Sequence, residues 1–453
     1  MIDRTALQTR ARELAKRGRD ITRSKMGIAV VATLMFQGFT WAMALVVAFY
    51  LPSYLGDRNL GKLTLAIGFA ATVNVLMNFG TSTVLVQDIA KKPETAREVI
   101  RTAIRLRAML GVACWCLGAL ATLALGYDRD VQVIILVILA GSAMSQFADA
   151  YQCGLAGLQE FVKVSISVLC ERFTFSIVTI ALVFAKAPLW QFAIVYVGAH
   201  TISSLAAMIL FGRALQAHPQ APRPAPLRTP RTLAKAGVPF LTTKLFNAIY
   251  GDGSSALLMS KLSTLESIGW FGLAKRFSGA AQTIPSSIAN VALPRLTRLH
   301  SEGDREGFAR LLKKVLAVVF VASAPFTIVL MFFPERLLEL MHYPAGFAGS
   351  IPVLRIAGGA LFLWFVQQIV GTALIAAGKV KTFAWVTGIA AALSLPICGG
   401  AIWAGERFLQ NGAVGAMVGD VILEAFMMGC YLYALLPDLF PRRNGGDSTA
   451  IRA

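Results

Sequence analysis

Charged side chains inside long apolar runs are the residues of this 453-residue chain that have most chemistry to offer. A charge at mid-bilayer costs about 2.5–3.5 kcal/mol on insertion scales, so it is rarely kept without a role. The run at 236–260 carries Lys244 and Asp252, and the run at 267–291 carries Lys275 and Arg276. At 1.5 Å per residue, Asp252 and Arg276 each lie roughly 13 Å below the outer end of two consecutive antiparallel helices. An Asp252–Arg276 pair is expected, with Lys244 or Lys275 left to meet an anion. Asp252 is the one acid in these two runs, so at least one positive charge is left over. Glu171 and Arg172 sit near the middle of the run at 162–185. Their side chains are about 100° apart around a helix, so one can face a cavity while the other pairs with a neighbouring helix. Asp420 and Glu424 fall four residues apart on one face of the run at 412–436. Two carboxylates so close repel, which favours a shared proton or an intervening cation and makes them candidates for ion coupling. His200 adds a titratable group in mid-run. Asp149, Lys163 and Arg355 lie near run ends, where snorkelling accounts for them.

No catalytic signature accompanies these charges. The phosphate-binding GxxxxGK[ST] loop, HExxH and GxSxG are all missing from the sequence. The six Cys fall in or at the ends of apolar runs, which suits reduced thiols, and the four His are scattered. Neither set forms a metal site, and no cofactor is expected.

The elements that hold these residues follow from composition. Residues of the set AVILMFWYC make up 56% of the chain and charged residues 15%, against about 45–50% apolar and 25% charged in an ordinary soluble domain. A soluble enzyme, a secreted domain, a fibre and a disordered chain are thereby excluded. Apolar runs long enough for a bilayer core occur at 28–50, 63–85, 106–125, 131–153, 162–185, 190–211, 236–260, 267–291, 315–333, 351–376, 382–404 and 412–436. The expected fold is an all-α polytopic membrane protein of about twelve spans. The net charge of +19 resembles a nucleic-acid signal, but no basic stretch belongs to a soluble fold. Instead, 31 Lys and Arg fall at the termini and in alternate loops, against seven in the opposite loops. That bias puts both termini in the cytoplasm.

Residues 1–27 hold Leu7, Leu14 and Ile21 at seven-residue spacing among basic residues, as in a surface-lying amphipathic helix. Six spans at 28–212 form a first lobe, a Pro-rich linker follows at 213–235, six more spans at 236–436 form a second lobe, and 437–453 is a cytoplasmic tail. The lobes are related. A shift of 208 residues lays Leu60-Gly61 on Ile268-Gly269, Leu65-Ala66 on Leu273-Ala274 and Arg97-Glu98 on Arg305-Glu306. Six spans return the chain to the same side, so the repeats are parallel and their pseudo-two-fold axis runs along the membrane normal. Pro239, Pro285 and Pro396 fall within spans 7, 8 and 11 and are expected to kink them, while Gly251 and Gly253 loosen span 7 around Asp252.

The stretch YLGDRNLGKLTLAIGFAATVNVLMNFGTSTVLVQDIA at 54–90 resembles the N-terminal part of polysaccharide flippases. These are the O-antigen and exopolysaccharide exporters of the multidrug/oligosaccharidyl-lipid/polysaccharide (MOP) superfamily. The same resemblance runs through GVPFLTTKLFNAIYGDGSSALLMSKL, IGWFGLAKRFSGAAQTIPSSIANVALPRLTRL, PVLRIAGGALFLWFVQQIVGTALIAAGKVK and GAVGAMVGDVILEAF. It implies two six-helix bundles facing each other in a V, as in MATE transporters, around a cationic central cavity. It implies transfer of undecaprenyl-pyrophosphate-linked oligosaccharide to the periplasmic leaflet of the bacterial inner membrane, by alternating access. Lys244, Asp252, Lys275, Arg276, Glu171 and Arg172 are then expected to line the cavity. Membrane lipids, a polysaccharide polymerase and glycosyltransferases are the expected partners. Spans 1 and 2 contain no charge inward of Lys62, so the cationic burden falls on spans 5, 7 and 8. A cation-coupled multidrug antiporter of the same superfamily is the alternative. A membrane glycan polymerase or ligase fits less well, because the longest outer loop, at 334–350, is too short for a catalytic domain.

Overall fold

The computed structural model describes residues 25–217 and 228–439; the side chains of 25–37, 40, 41, 252, several positions from 280 to 290, 438 and 439 fall outside the description. The expected surface helix at 1–27, the linker at 213–235 and the tail at 437–453 lie wholly or partly beyond it. Among the described residues there are fifteen α-helices and no strand. Nine of these elements are long and apolar enough to cross a membrane.

Nine and twelve reconcile through helix breaks. The first helix, α1 (Lys25–Asn78), contains spans 1 and 2, joined at Gly56, whose φ of 71° interrupts the helical backbone. Span 2 ends in a second piece, α2 (Thr81–Lys91), after a break at Phe79 and Gly80, both at positive φ. Spans 3 to 6 are α3 (Ala96–Ala124), α4 (Arg129–Gly157), α5 (Phe161–Phe184) and α6 (Leu189–Ala217). Span 7 divides at Gly251 into α7 (Pro230–Tyr250) and α8 (Asp252–Leu262). Span 8 divides at Gln282 into α9 (Leu265–Ala281) and α10 (Thr283–Ser301). Spans 9 to 12 are α11 (Arg305–Phe332), α13 (Ser350–Ala376), α14 (Val380–Leu409) and α15 (Gly412–Leu439), with a short α12 (Pro334–Leu340) in the outer loop.

Of the three expected kinks, one coincides with a break. Pro285 is the third residue of α10; having no N–H, it cannot bond back to the Ala281 carbonyl, so the preceding helix stops there. Helices α7 and α14 run unbroken through Pro239 and Pro396. Neighbouring bonds persist on either side of a proline, and packing can hold a helix together across one missing donor.

By packing, the chain forms two units: residues up to 54 with 70–244, and 55–69 with 245 onward. This is not the division by chain order. Residues 55–69, expected in the first lobe, pack with the second, and residues 236–244, expected in the second, pack with the first. The first unit has a core around Leu85, Ile89, Ile100, Ala103, Leu155 and Phe211. In the second unit α13 is central, packed by α11, α15, α10 and α9, and it buries Val353, Leu354, Phe365 and Ile369. Outward faces are apolar: Val321, Phe332, Trp385, Leu117 and Leu123 are exposed. Apolar surface this extensive suits lipid, since monomeric soluble proteins rarely expose contiguous patches beyond a few hundred Å².

The 208-residue repeat reappears as a contact within the second unit. A Cβ added at Gly61 would collide with the Leu265 carbonyl, and one at Gly269 with the Asp57 carbonyl. Asp57 and Gly61 are the repeat counterparts of Leu265 and Gly269. The two helices therefore cross at backbone contact, each through the glycine at the same repeat position, as small-residue packing in membranes permits.

Candidate functional site

Each unit holds a polar cavity at a broken helix. In the first unit the break at Phe79–Gly80 leaves Asn78 at the end of α1 and Thr81 and Ser82 at the start of α2, where unpaired helix-end groups need partners. Thr81 Oγ1 donates to the Asn78 carbonyl at 2.7 Å, and Arg107 of α3 gathers the side chains around the break. Arg107 is 1% exposed, with Nη2 2.8 Å from Asp149 Oδ2 of α4. The same guanidinium donates to the Gln146 carbonyl at 2.5 Å, Ser82 Oγ at 3.1 Å and Thr81 Oγ1 at 3.3 Å. Ser82 Oγ donates to Asp149 Oδ2 at 2.6 Å, and Asn78 Nδ2 donates to Ser82 Oγ at 2.8 Å and Gln146 Oε1 at 3.1 Å. Lys244 of α7 joins this network, its Nζ donating to Asn78 Oδ1 at 2.7 Å. The result is a cavity of about 320 Å³ lined by Asn74, Asn78, Gln146, Asp149, Gln152, Glu171 and Lys244 among others.

Glu171 and Arg172 separate as their 100° spacing requires. Glu171 lines this cavity, its Oε2 3.4 Å from His200 Nδ1 of α6, while the Arg172 side chain is 58% exposed, with Nε 4.0 Å from Glu171 Oε1. Glu171 therefore takes the cavity position.

In the second unit the breaks at Gly251 and Gln282 border a cavity of about 300 Å³, also lined by Asn247, Tyr250, Lys275, Ser278, Asp420 and Glu424. The Ile249 carbonyl next to the break accepts from Ser394 Oγ at 3.1 Å and from Ser254 Oγ at 2.5 Å. Lys275 Nζ of α9 lies 2.8 Å from Asp420 Oδ2 of α15 and 5.3 Å from the centre of the Phe271 ring. Glu424 is 6% exposed and accepts from the Tyr250 hydroxyl; its other oxygen has no partner among the described residues.

These pairings revise the charge expectation. Lys275 is not the surplus cation inferred from spans 7 and 8, because Asp420 lies on a helix 145 residues further along the chain. Nor do Asp420 and Glu424 form a bare dicarboxylate, since Lys275 and Tyr250 occupy them separately. Lys244 sits with Asn78 in the first unit, donating to its Oδ1. Arg276 is half-buried in α9 and has no carboxylate partner among the described side chains. The expected Asp252–Arg276 pair rests on an Asp252 side chain outside that description. Asp149, expected to snorkel, is held instead by Arg107, a cation in the first turn of the apolar run at 106–125. Arg107 is eleven residues into α3, about 17 Å along the helix, which is too deep for a loop charge.

The sequence profile described as Polysaccharide biosynthesis protein matches residues 28–300. The chain belongs to this polysaccharide biosynthesis protein family. The profile described as MatE matches residues 254–398. No curated protein matches the chain. Solved structures confirm the fold of the family member. An inward-facing multidrug resistance MATE family transporter of the MOP superfamily superposes with TM-score 0.69 at 14% identity, over 90% of this chain and 98% of that one. The lipid II flippase MurJ, in an inward closed conformation, gives 0.64 at 13% identity, over 91% and 90%. A eukaryotic MATE transporter, AtDTX14, gives 0.58 at 11%, over 90% and 93%. This polysaccharide biosynthesis protein is thus an all-α, multi-pass membrane protein with the MATE-like fold.

Proposed function

We propose that the protein flips undecaprenyl-pyrophosphate-linked oligosaccharide across the bacterial inner membrane for surface polysaccharide synthesis. The observation that carries this reading is the polysaccharide biosynthesis match over residues 28–300 on a membrane-spanning helical fold. Alternating access needs elements that bend at fixed points, and spans 2, 7 and 8 are broken where the two polar cavities lie. The bias of Lys and Arg towards alternate loops puts both termini in the cytoplasm. Arg276 is the cation offered to the lipid diphosphate, since an Arg fork matches phosphate oxygens. Glycosyltransferases that build the lipid-linked unit and a polymerase that consumes it are the partners this substrate requires. Deleting the gene should abolish surface polysaccharide, and wild-type protein should restore it.

One observation favours a second reading. The second cavity carries two carboxylates on one helix face, and Glu424 has an unpartnered oxygen, which suits a cation-coupled multidrug antiporter. Purified protein in vesicles would then drive uptake of an organic cation against an imposed ion gradient and leave lipid-linked sugar unmoved.

A further inference from the structure

The first unit's cavity differs in kind from an anion site. Its formal charges sum to zero: Arg107 lies 2.8 Å from Asp149, and Lys244, bonded to the neutral Asn78 at 2.7 Å, is offset by Glu171, the second carboxylate on the wall. A diphosphate entering here would meet two carboxylates and find Arg107 already shielded behind Asp149. Like charges brought together in a low-dielectric site disfavour the ionised forms.

What the wall offers instead is carboxamide. Asn74, Asn78, Gln146 and Gln152 all line the cavity. Each carboxamide carries two donor hydrogens and an acceptor oxygen; Asn78 and Gln146 engage theirs with Lys244, Ser82, Asn74 and each other, so Asn74 Nδ2 and Gln152 Oε1 are the donor and acceptor offered to a hydroxyl. These amides are held in place: Gln146 Nε2 donates to Asn74 Oδ1 at 2.5 Å, and Gln152 Nε2 donates to Ser167 Oγ at 3.1 Å. Asp149 and Glu171 add strong acceptors for hydroxyl groups, since hydrogen bonds to ionised acceptors are about twice as strong as neutral ones. The volume of about 320 Å³ is at the small end of small-molecule sites, about 300–1,000 Å³, and admits a sugar ring or two.

We infer that this cavity is a sugar subsite, which takes the terminal neutral or N-acylated sugar of the transported molecule, while the lipid diphosphate binds elsewhere. The inference rests on the flippase reading. It divides recognition of one substrate between an amide-walled site for hydroxyls in the first unit and a separate cation for phosphate.

The test uses full-length protein in lipid nanodiscs. One probe is the oligosaccharide released by mild acid from the host's own undecaprenyl-linked pool, followed by saturation-transfer NMR. The other is undecaprenyl diphosphate, which carries no sugar. Wild-type protein should bind both. Asn74→Ala and Gln152→Ala should weaken the saccharide at least tenfold and leave undecaprenyl diphosphate within twofold. Ala71→Phe starts from an exposed position on the cavity wall and removes none of these hydrogen bonds, so it should block the saccharide without disturbing the fold. The inference is overturned if wild-type protein binds no saccharide. It is equally overturned if Ala71→Phe leaves saccharide binding unchanged, or if the Ala variants lose both probes together. If wild-type protein binds saccharide in nanodiscs but, reconstituted in vesicles, moves no lipid-linked oligosaccharide, the flippase reading fails and the subsite stands.

Discussion

Separating Lys275 from Asp420 gives a quantitative check on the second cavity. The two atoms are 2.8 Å apart, and the side chains are 19% and 13% exposed. At an effective dielectric constant of about 20, the gross attraction at that distance is about 6 kcal/mol. Desolvating each ion costs several kcal/mol, so the net worth of the pair is small. Removing one partner is different, because it strands a buried charge at a cost of about 3–5 kcal/mol. Lys275→Gln and Asp420→Asn should each destabilise the protein by about that amount. The double variant, with no charge left to strand, should be more stable than either single one. Thermal unfolding of purified protein, with membrane abundance in cells, reads this order directly. If the losses of the single variants simply add in the double variant, the two residues are uncoupled and the pairing is wrong. Single variants costing less than about 1 kcal/mol would refute it too, by the standard of a buried pair.

Two other expectations follow from the fold. Gly61→Val puts a branched side chain against the Leu265 carbonyl, so it should cost at least the about 1–3 kcal/mol of ordinary overpacking and lower membrane abundance; normal abundance would show that the crossing is loose. On a Cys-free background, a single Cys at position 225 should react with an impermeant thiol reagent only after cells are opened, and labelling in intact cells would reverse the orientation drawn from the loop charges.

The spans were legible because twenty-residue apolar runs and loop charges are local features of the chain. Helix breaks were less so. Prolines advertise a missing donor, yet Pro239 and Pro396 lie in continuous helices; the break at Gly251 follows the glycines around Asp252, while nothing marks the one at Phe79–Gly80. Backbone conformation at a glycine depends on what packs against it. The second-unit site was half visible: Lys275, Asp420 and Glu424 could be named, but not the ion pair, which joins residues 145 positions apart. The first-unit site was mostly hidden. Arg107 stands at the very start of the apolar run at 106–125, and only the length of α3 shows how far inside it lies. Three of its partners, Thr81, Ser82 and Gln146, are uncharged, and nothing local separates them from ordinary polar residues of a span.

The central claim is that the protein moves a lipid-linked oligosaccharide between leaflets. The most direct measurement is made on vesicles containing purified protein and undecaprenyl-pyrophosphate-linked oligosaccharide present in both leaflets, with its sugar exposed to an impermeant glycosidase. The account predicts that digestion rises from the outer-leaflet share to the whole pool, and that protein-free vesicles stop at the outer-leaflet share. Digestion that stops there in both samples, while the same protein-containing vesicles accumulate an organic cation against an ion gradient, would contradict it.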